Sequence, residues 1–378
     1  MVRVDITIIG AGVVGLSVAR ELGLLANNVV VLEKEPGPGR GISSRNSEVI
    51  HSGIYYPAES LKAMLCVNGS KMLYAFCQDY GIPFKKAGKV IVAVDKSEEQ
   101  AVEQLYIRGM GNHVEGLRLF DKGDLLKAEP NVNGACALFS PHAGIIDSHR
   151  LIKVLEAHCL ELGIAVIYRN SLVALEKHPS GFVCAACDDR GQEYTFLSRI
   201  VINAAGLSSD RIASLAGIDA DASGYRIFPV KGEYFRVGRG KQRLVNGLVY
   251  PVPEKNITGL GIHATKDLSG SLRLGPNAFP VETLSYDVDP SHSRAFYENA
   301  RHMFPFLEPE DLYSDMAGIR PKVQKPGESQ KDFIISHEDG RGLPGMINLV
   351  GIESPGLTAC LAIGRHVANM IKDAGLLS

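Results

Sequence analysis

The sequence predicts an α/β fold made of two domains, and three observations lead to this prediction. The first 33 residues alternate short apolar runs with one stretch of helical periodicity, as in parallel strands joined by a helix. Residues 225–275 contain short strand-like runs separated by Gly and Pro, which is typical of an antiparallel sheet. A length of 378 residues also exceeds what one hydrophobic core usually supports.

Composition narrows the classes of function. Apolar residues make up 45% and charged residues 22% of the chain, as in ordinary globular proteins. A net charge of −2 provides no basic field, so we expect no nucleic-acid partner. No apolar run approaches the about eighteen residues of a membrane span, and the chain enters its first strand by Val4 without a charged leader. We therefore expect neither a transmembrane span nor a signal peptide.

The cysteines do not predict a metal site. Seven are scattered through the chain, as in cytosolic proteins. Cys184 and Cys187 form a CxxC, but they lie within an apolar, strand-like run and no second CxxC exists. We interpret them as thiols of a buried strand.

The strongest motif is the glycine-rich turn near the N-terminus. A strand predicted over residues 4–9 runs directly into Gly10, Gly12 and Gly15; a helix, a second strand over residues 29–32 and Glu33 follow. This order is the βαβ dinucleotide fingerprint. Gly10 permits the tight turn, Gly12 leaves room for a pyrophosphate, and Gly15 allows close packing of the helix. Glu33 can accept hydrogen bonds from ribose hydroxyls, but the fingerprint alone does not choose between NAD and FAD.

A second informative stretch spans residues 43–56 and is too polar for a core. Its small hydroxyl residues and free backbone N–H groups suit the ribityl and phosphate oxygens of a cofactor. His51 adds a titratable group on a turn that contains Gly53. On this stretch alone, His51 is equally well explained as an active group or as a hydrogen-bonded structural histidine.

The remaining elements follow from periodicity, capping residues and Gly or Pro stops. Helices are predicted over residues 60–80, 97–108 (capped by Ser97), 121–129, 148–163 (capped by Ser148), 211–216 and 291–303, and at the C-terminus after the turn at 351–358. Strands are predicted over residues 89–94, 165–168, 199–203, 228–237, 248–252, 259–264, 272–274, 333–335 and 347–350. The small residues at 203–206 permit close approach of a ligand. The turn at 351–358 is either a second anion site or an ordinary loop-to-helix junction.

Taken together, these pieces resemble the D-amino-acid-oxidase-like superfamily of FAD-dependent oxidoreductases, and within it the L-2-hydroxyglutarate dehydrogenases and oxidases. The resemblance covers essentially the whole chain. It is carried by the fingerprint, by residues 45–56, by Lys62, Ala63, Leu65 and Cys66, and by residues 250–253, 259–263, 274–278 and 352–356.

The resemblance implies a discontinuous Rossmann-like FAD-binding domain, made of residues 1–84, 143–226 and 318–378. It also implies a second, α+β substrate domain with a mostly antiparallel sheet, made of residues 85–142 and 227–317. Val173 would hold the adenine edge by its backbone, and Ser354 to Thr358 would face the flavin pyrimidine. The implied FAD residues are Gly10, Gly12, Val13, Val14, Gly15, Glu33, Lys34, Ser43, Ser44, Arg45, Asn46, Ser47, Val173, Ala205, Gly206, Ser354, Pro355, Gly356, Leu357 and Thr358.

The implied reaction is oxidation of a small 2-hydroxy acid to the 2-oxo acid, by hydride transfer to flavin N5 while a base takes the hydroxyl proton. Arg320 offers a planar fork to the substrate carboxylate. His51 and His263 are the candidate bases, because imidazole titrates near neutrality. The resemblance favours non-covalent FAD, although some relatives attach flavin through His or Cys. No resident metal is expected.

The sequence leaves three other functions open. They are an amino-acid or amine oxidase acting on glycine, sarcosine or proline, a glycerol-3-phosphate-type dehydrogenase, and a non-catalytic nucleotide-binding protein. The chain is short between Arg320 and Phe333, and Lys231 stands where an arginine is expected, so the exact hydroxy acid is not specified. The electron acceptor, whether a quinone, an electron carrier or oxygen, is also left open. We expect a cytoplasmic protein that has no transmembrane span, with room for contact at the inner-membrane surface.

Overall fold

The structure is a computed structural model that describes residues 1–253 and 261–377. Its α-helices are α1 Val13–Gly23, α2 Leu61–Asp79, α3 Glu99–Gly111, α4 Lys122–Ala128, α5 Ser148–Glu161, α6 Ser209–Leu215, α7 Ser293–Ala300 and α8 Gly356–Asp373. Its strands are β1 Val2–Ile9, β2 Val29–Leu32, β3 Val49–Ile50, β4 Phe84–Lys85, β5 Lys89–Ala93, β6 Arg118–Phe120, β7 Cys136–Ser140, β8 Gly144–Ile146, β9 Ala165–Ile167, β10 Asn170–His178, β11 Gly181–Asp188, β12 Glu193–Asn203, β13 Phe228–Val237, β14 Leu248–Pro251, β15 Ala264–Lys266, β16 Leu272–Leu274, β17 Phe279–Pro280, β18 Leu312–Lys322, β19 Ile334–His337 and β20 Met346–Val350.

The first sheet has a parallel centre formed by β9, β2, β1, β12 and β20. β10 and β11 extend it beside β12 as an antiparallel meander, and β19 pairs antiparallel with β20. Because the central strands are parallel, their carboxyl ends meet at one edge. Gly10, Glu33, Ala204 and Gly351 each follow one of these strands, so the sheet gathers the predicted ligand-facing turns at that edge.

The helices α1, α2, α5 and α8 pack together on this sheet and supply most of its apolar core. Two glycines set how closely they approach. A Cβ on Gly364 of α8 would lie 2.6 Å from the carbonyl oxygen of Ser17 in α1. A Cβ on Gly69 of α2 would lie 2.5 Å from the carbonyl oxygen of Thr358 in α8. Backbones therefore touch on both sides of α8, and no side chain fits between them.

The second sheet follows the order β17, β13, β16, β15, β14, β5, β7, β6, with β18 also paired to β13. Among the described strands its pairs are antiparallel except that of β14 with β5. A small third sheet joins β3, β8 and β4. The α/β fold class with a mostly antiparallel second sheet is confirmed; the residue boundaries of the two domains stay a prediction.

Several local predictions were wrong. Asp95, not Ser97, caps a short 3-10 helix ahead of α3, because its carboxylate accepts the N–H of Ser97. Asp147, not Ser148, caps α5 by accepting the N–H of Arg150. The strand predicted over residues 259–264 falls partly outside the described residues, and its described part is extended only from Ala264, because Gly261 has a φ of +75°.

The structure also bears on the predictions about a membrane span, a metal site and the cysteines. None of the described helices is long and apolar enough to cross a bilayer. Within residues 1–253 and 261–377, no group of three or more His, Cys, Asp or Glu side chains is arranged to hold a metal ion. Cys184 and Cys187 are free and lie on β11, as their strand-like run predicts.

Gly69→Ala tests the contact between α2 and α8. The added methyl would overlap the backbone at Thr358 and Ala359, so we expect a loss of about 1–3 kcal/mol of stability from overpacking. Thermal unfolding should show a lower midpoint temperature. Gly111→Ala, at the end of α3, is the matched control, because nothing lies within 4 Å of its Cβ position. An unchanged midpoint in Gly69→Ala would mean that the helices separate at little cost.

Candidate active site

A cavity of about 1240 Å³ lies at the carboxyl edge of the first sheet and extends to the second sheet. The predicted residues that line it are Gly10, Gly12, Val13, Val14, Glu33, Lys34, Ser43, Arg45, Asn46, Ser47, His51, Ala205, Gly206, His263, Arg320, Ser354, Pro355, Gly356, Leu357 and Thr358. Gly15, Ser44 and Val173 are not among the lining residues. The fold thus brings turns far apart in the chain to one continuous space.

The glycine turn forms the floor of the cavity. Gly10 has a φ of +107°, and a Cβ there would lie 2.6 Å from the carbonyl oxygen of Ala204. A Cβ on Gly15 would overlap the carbonyl oxygen of Gly10. Gly15 therefore acts from behind the turn, by letting α1 begin directly against β1. Side chains at these positions would separate β1, α1 and β12, so the bare backbone is a requirement of the fold as well as of the ligand.

Glu33 closes one end of the cavity. Its side chain is buried, and its two carboxylate oxygens accept the N–H groups of Ala11 at 2.7 Å and Glu35 at 2.9 Å. Burial raises the pKa of Glu33 above its ordinary value, and the two hydrogen bonds oppose that shift. A carboxylate has about four acceptor positions, so lone pairs remain for a ribose hydroxyl.

The polar stretch after the glycine turn forms a second wall. The N–H of Val13 donates to Ser43 Oγ at 3.0 Å, and the Asn46 side chain donates to the Ser43 carbonyl at 2.8 Å. The Arg45 guanidinium lies 4.0 Å from the ring centroid of Tyr286. Its Nε is buried without a hydrogen-bond partner among the described residues. An unsatisfied cationic donor that lines the cavity fits a phosphate-bearing ligand.

The side of the cavity beyond Glu33 is formed by Asn170, Ser171 and Leu172. Val173 follows them where the pairing of β10 with β11 shifts register between Leu172 and Ala174. Val173 is the extra residue at this irregularity and does not line the cavity. The proposed adenine contact of Val173 stays a prediction, and its three neighbours face the cavity.

The opposite end of the cavity is built around the turn that begins α8. The backbone N–H of His51 donates to Thr358 Oγ1 at 3.0 Å, and His51 Nε2 lies 3.4 Å from Ser354 Oγ. His51 Nδ1 lies 3.4 Å from the Nζ of Lys89. Burial, Lys89 and His263 together lower the pKa of His51 well below its usual range. The imidazole is therefore neutral near pH 7 and able to accept a proton.

His263 also faces this end. It is 7% exposed, and its ring stacks on Tyr250 with centroids 3.7 Å apart and an interplanar angle of 10°. The stacking fixes the plane of the ring. The fold brings the two candidate bases His51 and His263 close to each other, with His51 the more exposed of the two.

The cationic groups at this end are unequally paired. Glu353 lies between two lysines, with carboxylate oxygens 3.0 Å from Lys62 Nζ and 3.6 Å from Lys322 Nζ. Burial raises the pKa of Glu353, but the two ammonium groups outweigh it and hold the pKa below its usual range. Arg320 lines the cavity next to this trio and, among the described residues, is paired with no carboxylate. Its guanidinium is available to an anionic ligand.

Sequence reasoning missed Lys89 and the Lys62, Glu353, Lys322 trio as parts of the site. Lys89 begins an apolar run that was predicted only as a strand, and Lys62 lies on the buried side of α2. The available signal was a charged residue at a position where the apolar periodicity requires burial. Such a residue needs a partner, which only the fold reveals.

Comparisons with known proteins agree with this geometry. Residues 5–370 match the DAO family, described as FAD dependent oxidoreductase. The chain is 38% identical to the mitochondrial L-2-hydroxyglutarate dehydrogenase of Arabidopsis thaliana, over 97% of this chain and 83% of that protein. It is 33% identical to the corresponding enzyme of Mus musculus, over 95% of this chain and 86% of that protein.

A solved structure extends the comparison to the fold. The dithionite-reduced L-α-glycerophosphate oxidase from Mycoplasma pneumoniae with FAD bound aligns with a TM-score of 0.87 and 26% identity. The alignment covers 98% of this chain and 95% of that one. The glycine turn, the placement of Glu33 and the match along nearly the whole sequence therefore show that this chain belongs to the DAO family of FAD-dependent oxidoreductases.

Proposed function

We propose that this protein oxidises a small L-2-hydroxy acid of the L-2-hydroxyglutarate class to the 2-oxo acid. The observation that carries the proposal is Arg320, which lines the same cavity as His51 and His263 and is paired with no carboxylate among the described residues. A planar guanidinium binds a carboxylate through two parallel hydrogen bonds. The similarity to L-2-hydroxyglutarate dehydrogenases supports the same substrate class.

The residues present fit FAD. Glu33 would bind the adenosine ribose, the N-terminus of α1 and Ser43 the pyrophosphate, and the turn at residues 354–358 the flavin ring. When bound, FAD supplies a two-electron acceptor for the hydride on the carbon that bears the hydroxyl. Non-covalent binding is part of the proposal.

The division of labour among the side chains follows from their surroundings. Arg320 holds the substrate carboxylate and thereby orients the C–O–H group toward the histidines. We assign the general base to His51, because its Nε2 faces the cavity beside Ser354 and its ring is neutral near pH 7. His263, buried and stacked on Tyr250, would then shape the cavity around the substrate.

A second candidate substrate is a glycerol phosphate. The solved structure that aligns at a TM-score of 0.87 is an L-α-glycerophosphate oxidase. Arg320 and the nearby Lys322 would also accept a phosphate, since arginine and lysine both bind that group. The lysine that replaces an expected arginine at position 231 does not line the cavity, so it does not decide between the two.

The cellular setting is also part of the proposal. We propose a cytoplasmic enzyme that contacts the inner-membrane surface only peripherally, with a quinone, an electron carrier or oxygen as electron acceptor. The two similar dehydrogenases are named mitochondrial. Fractionation and an acceptor assay with each of the three classes would establish both points.

Anaerobic bleaching of the flavin tests the substrate. The panel contains both enantiomers of 2-hydroxyglutarate, lactate, malate, glycerol 3-phosphate, glycine, sarcosine and proline. We expect L-2-hydroxyglutarate to bleach the flavin at the lowest concentration, because Arg320 holds its carboxylate. Bleaching by glycerol 3-phosphate alone would favour the second candidate, and bleaching by an amino acid alone would contradict both.

Arg320→Lys accompanies this panel. The variant keeps the charge but loses the planar fork, so KM should rise more than kcat falls. Arg236→Lys is the matched control, because Arg236 lies exposed on the neighbouring strand β13 and does not line the cavity. Equal changes of KM in the two variants would show that Arg320 does not bind the substrate carboxylate.

His51→Gln should slow flavin reduction by roughly 10²–10⁴-fold, the usual range for loss of a general base. Glutamine fills the same space but accepts no proton. Stopped-flow reduction of His51→Gln and His263→Gln, measured across pH, separates the two histidines. The assignment is wrong if His263→Gln shows the large loss and His51→Gln reduces at the wild-type rate.

Glu33→Ala should weaken FAD binding by about 1–3 kcal/mol, because it removes buried acceptors of the ribose and of the turn. Fluorescence titration of the apoprotein with FAD measures the change. Glu129→Ala is the matched control, since Glu129 is also buried and accepts two backbone N–H groups, from Asn246 and Gly247, away from the cavity. Both variants should lose stability, but only Glu33→Ala should lose FAD affinity.

A further inference from the structure

Lys89 is a buried lysine at the first position of β5. It is 1% exposed, and no carboxylate of the described residues pairs with it. Its Nζ lies 3.4 Å from His51 Nδ1, 4.2 Å from the ring centroid of Tyr250 and 5.5 Å from that of Tyr55. Lys62 is equally buried, but it forms an ion pair with Glu353. Burial of an unpaired ammonium is costly, so Lys89 is not placed there for stability.

Among residues 1–253 and 261–377, the groups around Lys89 leave its charge uncompensated. The titratable groups that face Lys89 or His51 come from several elements. They are His51 and Tyr55 after β3, Cys66 on α2, Tyr250 on β14 and His263 before β15. Burial raises the pKa of the Cys66 thiol to about 12 and the pKa values of both phenols above their usual range, so none of these is an anion near neutrality. Burial correspondingly lowers the pKa of Lys89 to about 7.

The charge on Lys89 decides which nitrogen of His51 carries the proton. A neutral amine accepts a hydrogen bond from Nδ1–H, which leaves the lone pair on Nε2, the nitrogen beside Ser354 in the cavity. A charged ammonium instead donates to Nδ1, so a neutral imidazole must hold its proton on Nε2. Only the first arrangement allows Nε2 to accept a proton from a ligand in the cavity.

We propose that Lys89 is the positioning residue of the base: it selects the tautomer of His51 and takes the Nδ1 proton when Nε2 accepts the hydroxyl proton of the substrate. This inference rests on the proposed function, in which His51 is the base. It adds a second proton carrier behind the histidine, out of contact with the substrate.

In this proton transfer, each bond that breaks is matched by a bond that forms. The O–H bond of the substrate breaks and an Nε2–H bond forms; the Nδ1–H bond breaks and an Nζ–H bond forms on Lys89. FAD, when bound, would supply the acceptor for the hydride that carries the two electrons of the adjacent C–H bond, and the C–O bond would become a carbonyl. Return of the proton from Nζ to Nδ1, with loss of the Nε2 proton to water in the cavity, restores the starting tautomer.

The pH dependence of flavin reduction tests the proposal in the FAD-loaded enzyme. The wild-type rate should rise as the pH increases through about 7, because Lys89 must lose its proton to leave Nε2 free. In Lys89→Met this rise should disappear and the plateau should fall on the order of 10²-fold, as the second proton carrier is absent. Lys89→Arg should stay slow at every pH, because a guanidinium does not deprotonate.

Stability provides a readout that does not depend on turnover. The pKa of Lys89 is lower in the folded state than its ordinary value of 10.5, so folding is penalised most below pH 7 and the penalty vanishes above 10.5. Lys89→Met should therefore unfold at a higher temperature than the wild type at pH 7, and the difference should close toward pH 10.5. Lys62→Met, which breaks a buried ion pair, should unfold at a lower temperature.

Two results would overturn the inference. One is a wild-type pH profile in Lys89→Met, and the other is a lower unfolding temperature for Lys89→Met at pH 7, which would make Lys89 a packing residue. Failure of the proposed function is seen separately, in the wild-type enzyme, as an absence of bleaching by any 2-hydroxy acid. If the wild type oxidises a 2-hydroxy acid but Lys89→Met keeps the wild-type pH profile, only the proposed role of Lys89 is rejected.

Discussion

The rest of the structure depends on a backbone contact between the start of α1 and the turn that precedes it. Gly15 lies against the carbonyl of Gly10, and Gly10 lies against the carbonyl of Ala204 at the end of β12. Because no side chain intervenes, β1, β12 and α1 converge on one point, and the free N–H groups of the helix open into the cavity. The same absence of side chains at Gly364 and Gly69 lets α8 pack directly against the backbone of α1 and α2 directly against that of α8.

Local signals in the sequence were sufficient to predict the glycine turn at the floor of the cavity, whose role in binding FAD stays a prediction. The glycine spacing, the flanking strands and Glu33 lie within 33 residues, and each acts through backbone geometry that a short segment determines. The histidines and Arg320 were found by chemistry and resemblance, and the fold brings them to one cavity. The predicted caps Ser97 and Ser148 were wrong because an aspartate lies two residues or one residue earlier. Asp95 accepts the N–H of Ser97, and Asp147 accepts the N–H of Arg150.

Long-range partnerships could not be predicted in this way. Lys62 and Glu353 are 291 residues apart, and Lys89 and His51 come from different sheets. In the sequence, each lysine is an isolated charge in an apolar run. The fold gives one of them a carboxylate and the other a neutral imidazole, and this difference in partner separates a structural cation from one that exchanges protons near neutrality.

The grouping of Lys62, Lys322 and Arg320 around the carboxylate of Glu353 has a kinetic consequence. The protein as a whole carries a net charge of −2, so its outer surface does not attract anions, yet within this group three cations face one carboxylate. Low-dielectric walls focus such a field toward the opening and guide a dianion inward during its diffusional approach. The rate of capture should then fall as ionic strength rises, because mobile ions screen the field over about 8–10 Å. Uncharged alcohols of the same size would gain nothing from this guidance, so the buried charges would discriminate between substrates before any of them touched Arg320.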